Sequence, residues 1–91
     1  MTKSEQKTVR VMPLEMAKKY ASTIVPQASD VLQLSIQPEQ SLRAESYLVE
    51  YLDDCTKHQG ETITAGAFAR LAMTAVMKTV MIYQIENMDL E

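Results

Sequence analysis

Apolar residues change their spacing several times along the chain, and each change marks an element. Thr8-Val9-Arg10-Val11 alternates polar and apolar, which predicts a short strand over residues 8–11. Leu14, Ala17, Ala21 and Ile24 then recur at helical spacing, with Met16 and Tyr20 flanking them. Pro13 suits a first helical turn and Glu15 complements its positive end, so a helix is predicted from Pro13 to Val25. Pro26 is expected to stop it, because proline pushes the preceding residue out of the α region. Beyond a turn at Gln27-Ala28-Ser29, Leu32, Leu34 and Ile36 alternate with Gln33, Ser35 and Gln37, as in a strand. Val31, Leu34 and Ser35 serve one helical turn equally well. A strand here has no partner except Val9–Val11, which favours a short helix over Asp30–Gln37, capped by Ser29 or Asp30.

The pattern is clearest after Pro38. Ala44, Leu48, Tyr51, Leu52 and Cys55 make one apolar stripe, and Glu39, Arg43, Ser46, Glu50, Asp53 and Asp54 fall opposite. This predicts an amphipathic helix from Pro38 to Lys57, closed by Gly60 in a left-handed conformation. Thr62 or Thr64 caps a last helix over residues 64–86. Its apolar residues do not keep to one stripe. Phe68, Leu71, Ala75 and Ile82 cover one side, and Ala69, Met73, Val76 and Val80 another. Met77, Met81 and Ile85 form a third, and only Arg70, Thr74 and Lys78 make a polar seam. A helix apolar nearly all round is sheathed by neighbours. The predicted fold is therefore all-α, a small three- to four-helix bundle around this C-terminal helix. The two preceding stripes cover two of its sides, which leaves Met77, Met81 and Ile85 without a partner inside the chain.

Composition narrows what such a bundle does. The 91 residues make one domain, with a flexible N-terminus over 1–7 and a short acidic tail over 87–91. A chain of this size has a thin stability margin, which self-association improves. Seven Met and no Trp point to an aliphatic core and adaptable contacts. The single Cys cannot form an internal disulfide, and no hydrophobic signal segment follows the start, so a cytoplasmic location is expected. Arg70 and Lys78 inside the last helix argue against a membrane span. Net charge is −3, yet residues 1–19 hold Lys3, Lys7, Arg10, Lys18 and Lys19 against Glu5 and Glu15.

No catalytic or metal-binding set is legible. Cys55 and His58 lie one helical turn apart, but they are two ligands where zinc takes about four. Cys55 continues its helix's apolar stripe, and His58 suits the negative end of that helix. Asp53 and Asp54 point about 100° apart, so they cannot share a proton. Two Gly in the whole chain leave no room for a phosphate-binding loop. Arg70 and Lys78 are expected to reach solvent along the seam or to pair with Glu45 or Glu50. These features predict a small non-enzymatic regulatory or accessory protein without a cofactor. It would act by protein–protein contact, as a homodimer, through Met73, Met77, Met81, Ile85 and Met88. The alternative is a nucleic-acid-binding regulator using Lys3, Lys7, Arg10, Lys18 and Lys19.

Overall fold

A computed structural model describes residues 10–88. It is an all-α bundle with a two-stranded ribbon at one end. The order is β1 (Val11–Pro13), α1 (Leu14–Lys19), α2 (Ala21–Val31), α3 (Pro38–Gln59), β2 (Thr62–Thr64) and α4 (Ala65–Asn87). α3 and α4 form an antiparallel hairpin, with Arg43 near the start of α3 beside Glu86 near the end of α4. α2 packs on both, and α1 lies against α3, so α3 touches all three other helices. The core is aliphatic and small: Leu14, Ala17, Val25, Ala44, Leu48, Leu52, Ala72, Ala75 and Val76 are buried, with Phe68 the one buried aromatic among the described residues.

The strand expected over residues 8–11 begins only at Val11, with Thr8 and Val9 outside the described residues. It runs through Pro13, which is a strand end and the N-cap of α1 rather than a helical residue. Its partner is β2, in antiparallel register Val11↔Thr64, Met12↔Ile63 and Pro13↔Thr62. Proline fits there because a two-stranded ribbon consists of edges, where a missing N–H leaves no ladder bond broken. The ribbon also serves the two helices that leave it. The first N–H groups of a helix have no partner within it. The Leu14 N–H donates to Glu61 O at 2.8 Å, and the Ala65 N–H donates to Arg10 O at 2.9 Å.

The helix expected over 13–25 is two helices. α1 stops at Tyr20, whose N–H reaches back to Met16 O and Ala17 O while its own carbonyl accepts from Thr23 and Ile24. Pro26 does not end α2, which continues through it to Val31. A proline inside a helix costs about 3 kcal/mol. The helix beyond it keeps Ala28 and Ser29 buried and brings Leu32 against the core, which offsets part of this. Pro26 itself is exposed, and its carbonyl accepts from Ser29 Oγ at 2.8 Å. Ser29 and Asp30 thus belong to α2 and cap no later helix.

Residues 32–37 are neither the short helix expected nor a strand. The α2 end folds back on itself: Leu34 N–H donates to Ser29 O, and Gln33 N–H to Asp30 O. This is the paired hydrogen-bond pattern that closes a helix through one left-handed residue. That residue is Gln33, at φ +58°. The extended segment after it keeps the alternation of the sequence, because Leu32, Leu34 and Ile36 pack against the core while Gln33, Ser35 and Gln37 are exposed.

α3 follows the expected stripe, with Ala44, Leu48 and Leu52 fully buried and Tyr51 and Cys55 half-buried. A reciprocal cap starts it: the Gln37 side chain accepts from the Gln40 backbone, and Gln40 Oε1 accepts from Gln37 N–H at 2.7 Å. Gly60 ends it at φ 112° and ψ −147°, an extended left-sided conformation close to the region reserved for glycine rather than the left-handed helical one expected. Thr64 caps α4, its Oγ1 accepting from Ala67 N–H at 3.1 Å.

Gln33→Gly tests the closure of α2. A non-glycine residue in the left-handed region costs about 1 kcal/mol. The substitution is expected to raise stability by about that amount in urea unfolding, and Gln33→Val to lower it.

Candidate interaction surface

α4 presents two unlike faces. Phe68, Ala72, Ala75, Val76 and Thr79 are buried in the bundle, and the Thr79 hydroxyl is satisfied by donating to Ala75 O at 2.8 Å. On the opposite face Met77, Met81 and Ile85 are 47%, 57% and 54% exposed. Buried apolar residues need no partner, but three half-exposed ones a turn apart form a continuous ridge. Thr74, Met77, Lys78, Met81, Ile82 and Ile85 line a shallow depression of about 350 Å³ along it.

The polar seam lies on this same face. At about 100° per residue, Arg70, Thr74 and Lys78 point within about 80° of one another, and Met77, Met81 and Ile85 fall in the same sector. All six are exposed. The outer face of α4 is therefore mixed: Arg70 and Thr74 lead it, and Lys78 lies among Met77, Met81 and Ile85. The seam thus shares a side with Met77, Met81 and Ile85.

Lys78 does not pair with Glu45 or Glu50. Its ammonium sits over the Tyr47 ring, 4.4 Å from the centroid, with Tyr51 at 5.9 Å. The electron-rich ring face attracts the cation and needs no carboxylate. One turn beyond, Arg43 lies 5.0 Å from the Tyr83 centroid and 3.7 Å from Glu86. Three of the four tyrosines thus receive cations along the α3–α4 seam. Tyrosine was not singled out in the sequence; the signal was its spacing, Tyr47 and Tyr51 being i, i+4 on α3.

The other two methionines expected at the contact lie elsewhere. Met73 is half-buried and, with Ile24, Gln27, Ala28, Val31 and Ala69, lines a groove of about 330 Å³ between α2 and α4. Met88 follows the end of α4 and lines a depression with Ser35, Gln40, Val80, Tyr83, Gln84 and Asn87. Only Met77, Met81 and Ile85 of the five residues are brought together on one ridge.

The basic set is divided as well. Lys3 and Lys7 lie outside the described residues. Arg10 and Lys19 are exposed. Lys18 is engaged by Asp53 of α3 and, at 3.5 Å, by Glu15. The hydrogen bond to Asp53 raises the Lys18 pKa above its ordinary value, and the pair joins α1 to α3 at the surface. Cys55 is half-buried and His58 exposed, and among the described residues no three His, Cys, Asp or Glu side chains gather as a metal site.

No family model matches the chain, and no curated protein or solved structure is significantly similar to it.

A double-mutant cycle on Lys78→Ala and Tyr47→Leu measures the cation–ring contact. Coupling of about 0.5–1 kcal/mol in denaturant unfolding is expected for a contact of this exposure. Additive single effects would show that Lys78 is merely solvated.

Proposed function

We propose that this chain is a small non-enzymatic regulatory or accessory protein that acts by protein–protein contact and self-associates as a homodimer, using the outer face of α4. One observation carries the reading: Met77, Met81 and Ile85 stay half-exposed on a helix whose other face is core. Methionine suits such a surface, because its flexible, polarizable side chain adapts to different partners.

The energetics call for a weak, reversible association. Complete burial of a Met or Ile side chain is worth roughly 1.5–3 kcal/mol, so the exposed half of each offers about 1 kcal/mol. Three such residues on each of two copies supply about 6 kcal/mol, against about 4–15 kcal/mol of lost translational and rotational freedom. The ridge alone therefore does not exceed the cost of association, and contacts from the flanking residues of α4 must add to it.

α4 is the one helix among the described residues long and apolar enough to cross a membrane. Its buried face in the bundle supports the role of a bundle helix instead. So do Arg70 and Lys78, each costing about 2.5–3.5 kcal/mol at a bilayer centre. The engagement of Lys18 by Asp53 likewise supports protein contact over nucleic-acid binding.

Met77→Glu combined with Met81→Glu tests the reading. Both side chains are exposed, so the melting temperature should stay within a few degrees while concentration-dependent association disappears in sedimentation equilibrium. A wild-type chain that stays monomeric up to about 1 mM removes the self-association.

A further inference from the structure

We infer that Met77 and Met81 form a reversible oxidation site, at which a hydroperoxide converts both thioethers to sulfoxides and turns the outer face of α4 polar while the bundle stays folded. The effect on self-association rests on the function proposed above; the oxidation itself does not.

A peroxide must reach the sulfur, so exposure ranks the methionines. Met77 and Met81 are exposed and lie one turn apart on one face. Met73, one turn before Met77, lines the groove toward α2, and both it and Met12 are partly buried against the core. Met16 and Met88 are exposed too, but one is on α1 and the other lies past the end of α4. Of the described methionines, only Met77 and Met81 stand together on an uncovered helix face.

The chemistry needs only a hydroperoxide. The sulfur lone pair attacks one peroxide oxygen, and the O–O bond breaks as the S–O bond forms. The other oxygen takes the proton of the attacked one and departs as water or an alcohol. Sulfur loses two electrons and the peroxide gains them. Two thiols reverse the step, leaving as a disulfide while the sulfoxide oxygen leaves as water, which is the reaction of methionine sulfoxide reductases.

Two features of the fold fit such a site. Neither methionine is core, since the buried face of α4 is Phe68, Ala72, Ala75, Val76 and Thr79. The new oxygens therefore meet solvent rather than apolar neighbours, and the bundle loses no packing. Lys78 lines the same depression as both methionines and precedes Met81 by one turn. Its ammonium lies over the Tyr47 ring and brings hydrogen-bond donors to the side of the face where the sulfoxide oxygens appear. Ile85 is then the one apolar member of the ridge.

The test treats the chain with a small excess of hydrogen peroxide and maps sulfoxides by peptide mass spectrometry. Met77 and Met81 should oxidise at least about fivefold faster than Met12 and Met73, with helicity in circular dichroism unchanged. Retention on a hydrophobic-interaction column should fall. Association in sedimentation equilibrium should weaken at least about tenfold, since the lost burial counts on both copies. Sulfoxide reductases for both epimers, with a thiol, should restore retention and association. Met77→Leu combined with Met81→Leu keeps the face apolar and leaves Met16, Met88 and Cys55 in place. Peroxide should change neither the retention nor the association of this variant. Oxidation of Met12 and Met73 as fast as the pair overturns the inference, as does loss of helicity when the pair is oxidised. A leucine variant as sensitive as the wild-type chain overturns it too. A chain that stays monomeric up to about 1 mM before and after peroxide removes the self-association, and the sulfoxide map and column retention then decide the oxidation site by themselves.

Discussion

Ala44, Leu48 and Leu52 form a stripe on α3 with no exposed surface, and α4 brings Ala72, Ala75, Val76 and Thr79 to the same core. Small residues on both helices permit close approach of the backbones, since interaxial distance is set by the side chains between them. Each fully buried Leu contributes roughly 1.5–3 kcal/mol. In a domain whose net stability is only about 5–15 kcal/mol, a few such residues decide whether it folds. The remaining helices are arranged to complete this hairpin. α2 covers it with Val25 and Ala28, and α1 closes the far side of α3 with Leu14 and Ala17. What the hairpin leaves uncovered is the sector of α4 opposite Thr79, and the exposed ridge is its geometric remainder.

The cation–ring contacts along the α3–α4 seam bear on that ridge. Exposed ion pairs such as Arg43–Glu86 add little stability, because water competes for both charges. A lysine over a tyrosine face behaves differently: the ring is less strongly hydrated than a carboxylate, and the alkyl stem covers apolar surface on the way. Lys78 therefore shields part of Tyr47 and Tyr51 while still lining the depression beside Met77 and Met81.

Much of this was legible in the sequence where one short-range rule governs. The α3 stripe and the uncovered side of α4 follow from helical periodicity and are placed as read, and of the two threonines offered as a cap the structure uses Thr64. The failures share a cause: a distant partner or a packing gain outweighed a local rule. Pro26 should break a helix, but the packing of Ala28 and Leu32 beyond it offsets the cost. Leu32, Leu34 and Ile36 alternate truly, yet one-sided packing against the core produces that pattern without a strand. The left-handed Gln33 carries no glycine or asparagine signal. Thr62-Ile63-Thr64 alternates over three residues, too few to announce β2, and its partner lies about fifty residues earlier. For the candidate surface, Met77, Met81 and Ile85 were identified by position on the wheel. Met73 and Met88 were grouped with them as methionines stepping along the same side, but Met73 lines the groove toward α2 and Met88 lies past the end of the helix.

The ribbon at the end of the bundle has a kinetic side. Pairing Val11 with Thr64 closes a loop of about fifty residues, whereas α3 and α4 meet across the short Gly60–Thr64 connection. Chain entropy makes the near contact cheap and fast and the distant one slow, so the hairpin forms before β1 finds β2. β2 lies between α3 and α4 in the chain, with Ile63 anchored in the core. Val11–Pro13, whose partner is about fifty residues away, is the segment that chain entropy leaves to pair after the hairpin.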